Sequence, residues 1–63
     1  MSKLRPVIVI TIMNEENQII DSDKLPYDGD AMAVTDSIND LLEKHKDVPG
    51  VVALPTTGYE LNQ

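Results

Sequence analysis

The chain has 63 residues, enough for one domain. It has no cysteine and one histidine, so neither a disulfide nor a thiolate metal site can reinforce it. Eleven acids against five bases give a net charge of −6, which disfavours contact with nucleic acid or an anionic membrane and admits a basic partner.

Residues 1–6 carry two basic side chains and precede an apolar run, Val7 to Met13. That run is short and ends in Asn-Glu-Glu-Asn with no small-residue cleavage site, so no targeting segment is expected. No stretch approaches the roughly 18 apolar residues of a membrane span. The expected location is the cytoplasm, with no membrane partner.

The run Val7-Ile8-Val9-Ile10-Thr11-Ile12-Met13 is rich in β-branched residues and predicts a strand. Both of its faces are apolar: Ile8, Ile10 and Ile12 on one, Val7, Val9, Thr11 and Met13 on the other. Glu15-Glu16-Asn17 fits a three-residue hairpin loop, with Asn14 opening a type I turn and Asn17 in the left-handed region. This loop predicts Met13 opposite Ile19, Ile12 opposite Ile20, Thr11 opposite Asp21 and Ile10 opposite Ser22. The isoleucine face, with Ile20, is then the one a helix covers. A slip of one residue would exchange the faces of the second strand.

Asp21 to Gly29 reads as a polar connector broken by Pro26 and Gly29. A helix follows, with Asp28 as N-cap, Asp30 in the first turn, and Tyr27 and Met32 spaced for a hydrophobic staple. Ala31, Val34, Ile38, Leu41, Leu42 and His45 form its apolar stripe. Asp36, Asn39, Asp40, Glu43 and Lys44 take the outer face, where Asp40 and Lys44 are spaced as an ion pair. Val48-Pro49-Gly50 stops the helix. Val51 to Leu54 is a possible short third strand that Pro55 would end or hold at an edge, and Thr56-Thr57-Gly58 looks turn-like. Tyr59 and Leu61 are isolated apolar residues. The expected architecture is α+β: an N-terminal β-hairpin on one amphipathic helix, with a possible short third strand (ββαβ), in a single domain over residues 1–63.

The residues offer little for catalysis. Asp21, Asp23, Asp28 and Asp30 are dense enough to suggest a hard cation, but the loop places Leu25 and Pro26 where a calcium loop needs a ligand and a glycine. They read as a solvated turn and helix cap. His45 has no nucleophile or orienting acid at a meaningful spacing and fits the end of a helix. Glu15 and Glu16 sit on an exposed turn, where nothing would desolvate a carboxylate pair. The three glycines lack phosphate-cradling spacing. No enzymatic activity, cofactor or metal is expected. The order strand, Asn-rich turn, strand, helix is reminiscent, in size and pattern alone, of short accessory proteins of bacteria and phages; no motif assigns a family.

The doubly apolar strand is the sharpest signal. One helix covers one face, and a short third strand is too small to cover the other. The expected interface is therefore Val7, Val9, Thr11, Met13 and Ile19, and the expected function is a small acidic protein-binding module. Its partners would be itself, as a homodimer, and another protein. The alternative is an acidic inhibitor that presents Asp36, Asp40 and Glu43 as a nucleic-acid mimic to a nucleic-acid-binding protein. Direct binding of nucleic acid is not expected.

Overall fold

The computed structural model describes residues 3–62. Met1 and Ser2, part of the basic segment weighed above for targeting, lie outside the described residues. The elements are β1 (Lys3–Met13), β2 (Ile19–Pro26), α1 (Ala31–Lys44) and β3 (Val52–Asn62). This is the α+β, ββαβ order that the sequence predicts. The strands form one antiparallel sheet in the order β2-β1-β3, so the doubly apolar strand is central.

The hairpin loop forms as its residues require. The Asn14 side-chain oxygen accepts the backbone N–H groups of Glu16 and Gln18 at 2.9 and 3.0 Å. The Asn17 N–H donates to the Asn14 carbonyl at 3.1 Å, and Asn17 has φ of 63°. Met13 pairs with Ile19 as expected.

One step further the expected register fails. A bulge at Ile20 sets Ile12 opposite Asp21, Thr11 opposite Ser22 and Ile10 opposite Asp23. Ile20 therefore leaves the isoleucine face and is 37% exposed. The slip turns Asp21, Asp23 and Leu25 toward the helix, where the two acids find partners. Asp21 meets His45 and Lys44, and the Ser37 hydroxyl donates to Asp23 at 2.7 Å. Those polar contacts fix a register that hydrophobic alternation alone would have set otherwise.

The connector expected from Asp21 onward is strand as far as Pro26. The Tyr27 N–H extends the pairing to the Pro6 carbonyl at 3.1 Å. Pro6 is tolerated in β1 because the β2 strand ends at Pro26 opposite Val7, and beyond it Pro6 takes part through its carbonyl and needs no N–H.

The helix starts later than expected. Gly29 has φ of 90°, a left-handed conformation that cannot be the first helical residue after a cap at Asp28. Asp30 is the N-cap instead, its carboxylate accepting the Ala33 N–H at 3.1 Å, while Asp28 accepts the Asp30 N–H at 3.1 Å. The staple spacing is lost with the shift, and Tyr27 and Met32 stay exposed. Val34, Ile38, Leu41, Leu42 and His45 are half-buried as the stripe predicts, and Ala31 is exposed. Lys44 reaches Asp21 at 3.3 Å rather than Asp40, and Glu43 pairs with Lys46 at 3.3 Å.

The core is the isoleucine face: Ile10 and Ile12 are fully buried and Ile8 nearly so. The return from the helix passes close to the hairpin tip. Gly50 has φ of 66°, and a Cβ there would lie 2.6 Å from that of Glu15. β3 is the largest departure from expectation. It continues through Pro55 and through the expected turn at Thr56 to Gly58, pairing with β1 from Met13–Val52 to Lys3–Asn62. As an edge strand it has a neighbour on one side only, so a residue without an N–H fits where its nitrogen faces solvent. β1 and β3 run on beyond β2 as a two-stranded ribbon, leaving Leu4, Tyr59 and Leu61 exposed.

Candidate protein interface

A strand alternates its faces, so the register assigns every sheet residue to the helix side or the open side. On the helix side Ile8, Ile10 and Ile12 are flanked by Leu25, Asp23 and Asp21 of β2 and by Thr57, Pro55 and Ala53 of β3. On the open side lie Val7, Val9, Thr11 and Met13 of β1, with Ile19 opposite Met13. β3 does not fold over this face but widens it, adding Val52 and Leu54 opposite Met13 and Thr11.

Four of the five residues expected at an interface retain exposure. Val9, Thr11 and Met13 are half-buried and Ile19 is 69% exposed. Val7 is buried, at 5% exposure. It lines a recess of about 150 Å³ with Arg5, Lys24, Leu25, Pro26 and Glu60, whose long stems shield it. The recess is smaller than a typical small-molecule site.

The charged side chains at this end form a trio that sequence reasoning missed. Arg5 reaches Glu60 through Nη2 at 2.6 Å and Nε at 2.8 Å, and Lys24 Nζ reaches its other oxygen at 2.6 Å. Lys24 first, and Arg5 second, hold the Glu60 carboxyl below its ordinary range. Both cations remain more than half exposed, so the pairs add little stability in water. The trio keeps a net positive charge, and Lys3 lies two positions further along the same face. The bases, scattered in sequence, thus gather three of their five at one end of the open face. The signal lies in the pairing of Arg5 with Glu60 and Val9 with Lys24, which only the folded register supplies.

A second polar cluster joins sheet to helix. His45 Nε2 is 2.8 Å from an Asp21 oxygen, and because a carboxylate only accepts, the ring nitrogen donates. Asp21 also accepts the Ser22 backbone N–H at 2.8 Å. These bonds, that of His45 foremost, lower the Asp21 carboxyl from 3.8 to about 2. The cluster latches the C-terminal end of α1 to β2. Of the other acids in the dense group, Asp23 lies in β2 and accepts from Ser37 while Asp28 and Asp30 stand at the helix entry, and among the described residues no three His, Asp or Glu groups lie close enough to hold a metal ion. Asp36, Asp40 and Glu43 are exposed on the far side of the helix. No helix of the described residues is long and apolar enough to cross a membrane.

The exposed area is large for the mass. The chain presents 4663 Å² at 7.0 kDa, where a folded monomer of that size averages about 4,000 Å². Comparison with known proteins finds no matching family model, curated protein or solved structure.

Proposed function

We propose that this chain is a protein-binding module that self-associates as a homodimer through the open face of its sheet. The observation that supports this reading is the uncovered apolar face. The helix occupies one side of the sheet, β3 widens the other without covering it, and Ile19, Val52 and Leu54 stay exposed beside Val9, Thr11 and Met13. An exposed apolar sheet face is a liability for a monomer and an asset for an interface. The area excess of about 600 Å² over an average monomer is close to the roughly 800 Å² that each partner buries in a standard interface.

Sedimentation equilibrium at micromolar concentration tests the reading. The expected result is a reversible species of twice the 7.0 kDa chain mass. A single species of 7.0 kDa up to millimolar concentration would overturn it.

A further inference from the structure

We propose that two copies stack their open faces with strands antiparallel, each seating its Arg5–Lys24 end on the Glu15–Glu16 hairpin tip of the other. This arrangement rests on the self-association reading and supplies its geometry.

The argument begins with symmetry. A face-to-face pair of identical sheets is related by a two-fold axis lying between them. The axis runs either along the strands or across them. The three-stranded part of the sheet spans Val7 to Met13 of β1, so its midpoint is Ile10. An axis crossing the strands there sets Val9 of one copy against Thr11 of the other, and Val7 against Met13. Further out, Arg5 comes to face Glu15.

Charge distinguishes the two choices. Glu15 and Glu16 are exposed, and the loop from Asn14 to Gln18 contains no base. On the open face of the strands, the opposite end carries Lys3 and Arg5, with the Lys24 ammonium reaching Glu60 beside them. The crossing axis brings these ends together. The axis along the strands sets Arg5 on Arg5 and Glu15 on Glu15. For chains that each carry a net charge of −6, like charges in register oppose association.

Shape agrees with charge. Gly58 pairs with Val7 and Val52 pairs with Met13, so the crossing axis sets Val52 of one copy over Gly58 of the other. A Cβ built on Gly58 meets nothing within 4 Å, so the glycine leaves open room on this face. The alternative axis lays β3 of one copy over β2 of the other and sets Gly58 over Pro26, so Val52 does not enter that room.

The chain has no cysteine, so nitroxide labels can be placed singly at Lys3→Cys and Glu16→Cys. Two copies labelled at the same position should be separated by about 46 Å at Lys3 and about 40 Å at Glu16, from about 3.3 Å of rise per strand residue on either side of the axis. A mixed pair, one label at each position, should fall within about 20 Å, the sheet spacing of about 10 Å plus the label arms. Gly58→Val should weaken dimerisation at least tenfold with the circular dichroism unchanged. Thr11→Lys, which sets two ammonium groups near the axis, should do the same if the first variant folds poorly.

Short same-position distances in a dimer would overturn this orientation and leave self-association standing. A dimer that survives both substitutions would place the contact at a strand edge and overturn the stacking. An absence of any dimer would overturn the functional reading itself.

Discussion

At the scale of single residues, neighbouring positions on β1 differ in kind. Ile10 has no solvent exposure, while Thr11 is half-buried on the open face. Ile10→Asp places a carboxylate in the core with no cationic partner. It should cost several kcal/mol, because an unpaired buried charge forfeits its hydration. Thr11→Asp should cost far less, because the open face of a dilute monomer is in contact with water. Urea midpoints at low protein concentration measure the difference, and equal midpoints would reverse the assignment of faces. That assignment was legible in the isoleucine alternation of β1. Its counterpart on β2 was not. Ile19 and Ile20 looked like the continuation of an apolar strand, and the bulge is stabilised by Asp21 and Asp23 contacts with residues far along the chain.

At the scale of elements, the start of α1 has a polar residue responsible for it. Asp30→Ala removes the acceptor of the Ala33 N–H and should destabilise the fold by about 1 kcal/mol. Asp28→Ala removes a loop contact outside the helix and should cost less; chemical denaturation of both variants checks the order. The sequence pointed to Asp28 as the cap with Asp30 in the first turn, and the left-handed Gly29 between them moves the cap to Asp30, a conformation that composition does not reveal. The latch between α1 and β2 gives the fold a dependence on acid. The Asp21 carboxyl is lowered on folding from 3.8 to about 2, chiefly by the His45 hydrogen bond. The unfolded chain therefore binds a proton there first as pH falls. Stability from this group is fully present above about pH 4 and drains away down to about pH 2. Asp21→Asn should flatten that segment of the stability–pH curve, and an unchanged acid limb would remove the latch from the account. β3 was legible only in its first few residues. Pro55 and Thr56-Thr57-Gly58 carry turn chemistry, and their strand conformation comes from an unbroken ladder with β1.

At the scale of the whole molecule, the balance between core and surface is decisive. A chain this small buries about 60% of the surface its unfolded form exposes, and among the described residues the fully buried side chains are two isoleucines. A dimer through the open face would double the apolar layer around β1 without lengthening the chain. Folding and association would then be linked, and the thermal midpoint must depend on protein concentration. For two chains that unfold together, a tenfold rise in concentration adds about 1.4 kcal/mol of stability. With the usual entropy of unfolding per residue, that raises the midpoint by about 5 °C. Gly58→Val separates this effect from the stability of the single chain. The space at Gly58 is open and valine suits a strand, so the dilute midpoint should hold or rise. The concentration dependence should vanish, because the side chain fills the room into which Val52 of the second copy would fit. Calorimetry of both proteins over a hundredfold range of concentration measures the two slopes. A wild-type midpoint independent of concentration would mean that the open face is stable in water, and that the small isoleucine core suffices alone.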